Sequence, residues 1–204
     1  GLRAGLVGAL TYAAATPTVA ITLGLLVVMS LLVLNFNVFV PLVAYQVLHE
    51  GAHGFGLLMS SLGGGAVVGA VSLTLFRRDR PSLTTLTWTA AILCAGMLVL
   101  ATVGHFATAA AVLAVLGCCQ ILFTTGCNTT LQLGTPDAPR GRVMGLYALA
   151  FAGMTPFGAL LIGFVAEHLG VRVACALSGG CGLAAMAALL LSNRLVAESP
   201  VKTS

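Results

Sequence analysis

The sequence predicts an all-α membrane protein of six transmembrane helices, and three observations predict it. Hydrophobic residues make up 59% of the 204-residue chain and charged ones 7%, against roughly 25% charged in soluble domains. A water-facing surface is thereby excluded, because most of these side chains would have to lie on it. The apolar residues fall into six stretches, each close to the ~20 residues that carry a helix across a bilayer. The short polar connectors are asymmetric. Arg3, Arg77, Arg78, Arg80, Arg140, Arg142, Arg194 and Lys202 collect on one side of the six spans and Arg172 alone on the other. This positive-inside pattern places both termini in the cytoplasm and turns His49, His53, His105 and His168 outward. The net charge of +4 therefore reads as topology, and no nucleic-acid partner is expected.

Residues 1–17 carry one charge, Arg3, and end at Pro17, a short and weakly amphipathic entry to the bundle at 18–192. The first span, 18–42, holds Ser30, Asn35 and Asn37, with Pro41 near its end. The second, 55–76, has Ser61, Gly65, Gly69 and Ser72 on one face, a stripe of small residues that lets another helix backbone approach closely in lipid. A basic loop, Arg77-Arg78-Asp79-Arg80-Pro81, leads to the third span, 83–103, where Trp88 near the basic end suits an interfacial anchor. The fourth, 106–133, is the most polar. The fifth, 142–167, follows the basic turn Arg140-Gly141-Arg142; residues 143–166 carry no charge. Gly145, Ala148, Ala152, Thr155, Ala159 and Gly163 give it a second small-residue stripe, and Pro156 within the stripe is expected to kink it. The sixth, 171–191, ends in a polar tail, 193–204. All six cysteines fall in apolar stretches without metal-ligand spacing, which suits small packing residues. No P-loop, Gly-rich dinucleotide turn or nucleophile elbow is present, and no cofactor is expected.

The turn Pro136-Asp137-x-x-Arg140-Gly141-Arg142-Val143, followed by a helix rich in Gly, Ala and Pro, resembles the loop between helices 10 and 11, and helix 11 itself, of the major facilitator superfamily. The likeness is to its enterobactin-exporter-like and multidrug branch. It covers nearly the whole chain, which then corresponds to helices 7–12, the C-terminal half, with 1–17 as the cytoplasmic linker. That resemblance implies a 3+3 inverted repeat, an N-terminal six-helix half as partner, a bacterial inner membrane location and transport of a small molecule by alternating access. The chain opens at Gly1 without an initiator Met, as expected of a fragment or processed piece. The loop FRRDRP departs from the family's corresponding loop motif and adds nothing to the assignment.

Four groups carry the candidate chemistry. Gln120, Thr124, Asn128 and Gln132 recur every fourth residue and so share one helical face. Such groups in lipid must find partners or line a wet cavity; either a substrate path or interhelical cohesion accounts for them, and by resemblance this span lines the central cavity. Asn35 and Asn37 lie about 200° apart on a continuous helix, so one is expected to contact substrate and the other a neighbouring helix. Arg140 and Arg142, with Asp137 and the Pro156 kink, suit a topology signal or, by resemblance, an inner gate. No Asp, Glu, Lys, Arg or His lies deep in a span, so proton coupling would have to use the absent half. His49-Glu50-Gly51-Ala52-His53 matches H-E-x-x-H, the zinc-peptidase signature, but two glycines disfavour the helix that chemistry needs. The resemblance implies export of small amphipathic molecules such as drugs or siderophores, which the neutral amides allow. The alternatives are a membrane zinc metallopeptidase using His49, Glu50 and His53, and a six-span structural protein that transports nothing.

Overall fold

A computed structural model describes residues 2–75 and 82–198; the basic loop 76–81 and the end of the tail lie outside the described residues. Among these the chain is helical, and six helical segments are long and apolar enough to cross a membrane. After α1 (Leu2–Ala15), the first span joins α2 (Pro17–Leu32), α3 (Phe36–Leu42) and a π turn at Val43–Val47. Then come α4 (Ala52–Leu75), α5 (Leu83–Thr102) and α6 (Phe106–Gly134). The fifth span joins α7 (Asp137–Ala148), a π turn at Leu149–Gly153 and α8 (Thr155–Leu169), and α9 (Val171–Glu198) is the sixth. The fifth span is longer than its apolar core suggested, because Asp137 starts the helix beyond the membrane-length stretch.

The predicted stripe on the second span is a true close contact. A methyl on Gly65 would overlap the carbonyl of Ala114, one on Gly117 would overlap that of Leu62, and one on Gly69 would come within 2.7 Å of Cys118 O. Backbones can pack this closely only without side chains between them. The pairing advances in the same direction on both helices, so α4 and α6 run parallel. Opposite them, α9 packs antiparallel on α5, with Gly179 against Cys94 O. Leu25, Leu26, Met29, Leu93, Met97, Leu113, Leu116 and Phe123 are fully buried between the spans.

Two arginines close connections at helix ends. Arg140 donates from Nε and Nη2 to Thr135 O at 3.2 and 3.1 Å, and pairs with Asp137 at 2.6 Å. Arg172 donates to Ala101 O at 3.1 Å, satisfying a carbonyl in the last turn of α5. At the start of α5, the Ser82 hydroxyl accepts from Thr85 N at 3.2 Å. Ser82→Ala is expected to cost about 1 kcal/mol, as N-cap losses do, seen as a small drop in thermal midpoint with the fold retained.

Candidate functional site

The first span is broken, which the sequence reading as a continuous helix did not anticipate. Leu34 N bonds to Met29 O, a wide turn, and Val38 N and Phe39 N both bond to Asn35 O, starting a new helix. Asparagine favours such positions because its side chain competes with the backbone for hydrogen bonds. Here the Asn35 amide donates to Ser30 O at 2.9 Å and Leu31 O at 3.3 Å, so it replaces the backbone donors the break removes. Asn35 is 2% exposed, and its Oδ1, like the Ser30 hydroxyl, has no partner among the described atoms. The break corrects the 200° separation expected for Asn35 and Asn37. Asn37, one residue into α3, is exposed on the bundle surface.

The fifth span is broken too, and Pro156 supplies the reason. A proline ring clashes with the carbonyl four residues back, here Ala152, and the π turn at Leu149–Gly153 widens the helix at that place. Pro156 then occupies the first turn of α8, where its missing N–H costs nothing. Thr155 Oγ1 donates to Phe151 O at 2.7 Å and satisfies one freed carbonyl. Such π turns concentrate at functional sites. The two broken spans cross: a methyl on Gly158 of α8 would overlap both Leu31 O and the Asn35 amide.

The amide stripe of α6 divides in two. Towards the basic end, Gln132 Nε2 donates to Asn128 Oδ1, and the Asn128 side chain also engages the Tyr147 hydroxyl of α7. That hydroxyl lies 3.5 Å from Thr124 O, and Thr124 Oγ1 donates to Gln120 O at 2.9 Å. Gln120 itself is half-buried, yet no hydrogen bond to its side-chain amide is found among the described residues. Bonds within α6 and to Tyr147 thus occupy Asn128, Gln132 and Thr124 but leave the Gln120 amide unspent. Tyr147 was missed from sequence, because a tyrosine in an apolar run carries no periodic signal; only its arrival opposite Asn128 marks it.

The remaining candidates lie at the ends. Asp137 is 91% exposed at the side chain and Arg140 is occupied by Asp137 and Thr135. Arg142 is exposed on α7 and reaches Gly8 of α1, while Ala13, Val19, Leu131, Val143 and Leu146 form a small apolar cluster beneath. At the opposite end, His49 takes a left-handed conformation, φ 55°, ahead of α4, whereas His53 lies within α4. The two histidines therefore do not share a helical face, as zinc-peptidase chemistry requires. Among the described residues no three His, Cys, Asp or Glu side chains gather to hold a metal.

Unlike that of α4, the small-residue stripe of the fifth span meets no close helix backbone at its glycines among the described residues. Gly145, Ala148 and Ala152 are exposed, and a methyl on Gly145 or Gly163 would find open space. The back of α4 is similar: Gly56, Gly63 and Gly64 face open space.

Six membrane-length helices, two of them broken, around a line of uncharged polar groups define a multi-pass membrane transport protein. The match to the family of transmembrane secretion effectors runs over residues 1–202, and the chain belongs to that family of major facilitator transporters. Neither a curated protein nor a solved structure matches it.

Proposed function

We propose that this chain is the C-terminal half of a secondary exporter of small amphipathic molecules, and that Gln120 contacts the cargo. The unspent, half-buried amide of Gln120 carries the reading. It lies near the middle of a long span, where alternating-access transporters hold substrate, and an amide in lipid without a partner is costly unless something else bonds it. Thr124 and Asn128 continue the path; Asn37 is a further contact, and Asn35 acts behind it at the break. Two open small-residue faces, on α4 and on the fifth span, support an N-terminal six-helix half as partner, since such faces accept close helices. The 3+3 inverted repeat, a bacterial inner membrane, cytoplasmic termini and proton coupling through the other half belong to the same reading. Arg142, against α1, and the Asp137–Arg140 pair would serve its inner gate, with Pro156 as the flexible joint.

The test is uptake of the amphipathic dye Hoechst 33342 into everted vesicles containing the natural full-length protein. Gln120→Ala is expected to lower kcat/KM about tenfold, the equivalent of one charge-free hydrogen bond of ~1.4 kcal/mol, with the protein still folded. Transport unchanged by Gln120→Ala removes the contact, and transport indifferent to an imposed pH gradient removes proton coupling.

A further inference from the structure

An aromatic pair meets α6 one helical turn from the free amide. The Tyr147 ring stacks on Phe151, with centroids 6.1 Å apart and planes 15° from parallel. Both rings are half-buried. The Tyr147 hydroxyl reaches α6 at Thr124 O, one helical turn from Gln120, and at the side chain of Asn128. The two rings are held from opposite sides. Phe151 sits in the π turn set by Pro156, and Tyr147 is tethered to α6 through its hydroxyl. Two nearly parallel rings present aromatic faces, which prefer another flat ring system over a saturated one of the same size. The amide of Gln120 supplies a donor and an acceptor for a polar edge. From Phe106 to Gly134, α6 carries no charged side chain, so nothing on this helix offsets the cost of desolvating an ion.

We propose that Tyr147 is a specificity-determining residue of the site around Gln120, and that this site takes an uncharged, planar aromatic molecule with a hydrogen-bonding edge. This rests on the reading of Gln120 as a cargo contact. The ligand lies against the aromatic pair of Tyr147 and Phe151 and turns its polar edge to Gln120. Tyr147 selects through its ring, while its hydroxyl, bonded to α6, fixes the ring's position.

The experiment compares equilibrium binding of two probes to the natural full-length protein in nanodiscs: 7-methoxy-4-methylcoumarin, neutral and planar, and tritiated menthol, neutral and saturated. The wild type is expected to bind the coumarin more tightly. Tyr147→Leu is expected to weaken coumarin binding about tenfold and menthol binding less than twofold; Tyr147→Phe, which keeps the ring, should lose less than the leucine variant. Phe151→Leu removes the other ring and gives the same comparison if Tyr147→Leu does not fold. Equal losses for both probes, no loss for either, or a wild type that binds neither or prefers menthol overturns the proposal. Gln120→Ala separates the two readings. If it weakens both probes while Tyr147→Leu changes nothing, the amide contact stands and the aromatic selection falls. If it changes nothing while Tyr147→Leu weakens the coumarin alone, the selection by the rings stands and the amide contact falls.

Discussion

Gly65→Ala and Gly117→Ala are each expected to destabilise the bundle by about 3 kcal/mol or more, while Gly64→Ala, one residue away, leaves it unchanged or slightly firmer. Overpacking a close-packed interior costs about 1–3 kcal/mol when side chains can shift. At Gly65 and Gly117 the obstacles are the main-chain carbonyls of Ala114 and Leu62, which can move only if whole helices separate. Gly64 faces open space, so there the methyl brings only the helix preference of alanine, worth up to about 1 kcal/mol. Thermal unfolding in mild detergent reads the difference. Matching midpoints for Gly64→Ala and Gly65→Ala would mean that α4 and α6 do not touch along this line. The effect would also extend to the candidate site, since Gly117 lies one turn from Gln120 on the same helix.

The second large effect is expected at the crossing of the broken spans. Asn35→Leu removes the two donors that satisfy Ser30 O and Leu31 O. Each buried carbonyl left bare costs about 1–3 kcal/mol, so a loss of about 2–6 kcal/mol is expected, unless the span heals into one continuous helix. Those two outcomes differ in hydrogen exchange: a healed helix protects the amides of Asn35 and Phe36, a merely weakened break leaves them exposed. Gly158→Ala strikes the same contact from the other side, against Leu31 O and the Asn35 amide. The double variant is expected to cost clearly less than the two singles together, as substitutions sharing one contact do. Full additivity would show that the glycine and the asparagine act independently, and a melting point unmoved by Asn35→Leu would show that the amide does not hold the break.

What the sequence by itself determined is the class of protein and the number of its membrane spans. Apolar runs of membrane length, with charge confined to short connectors, leave few other structures open to the chain, because backbone groups in lipid must be satisfied within each helix. The close stripe at Gly65 and Gly69 was equally legible, as was the polar face through Gln120, since both follow from 3.6-residue periodicity alone. The resemblance carried by the Asp137–Arg142 turn pointed to the family to which the chain belongs. Tertiary structure decided what periodicity does not encode. Two stripes of the same composition met different fates: that of α4 is filled by α6, that of the fifth span stands open. Four polar residues at the same spacing also proved unequal. Tyr147, arriving from α7, engages Asn128, and Thr124 turns back on its own helix, so Gln120 alone is left with a free amide. The break at Asn35 belongs to the same class of decision. An asparagine in an apolar run can end a helix or ride along its surface, and here the freed carbonyls of Ser30 and Leu31, with Gly158 closing over them, settle which it does.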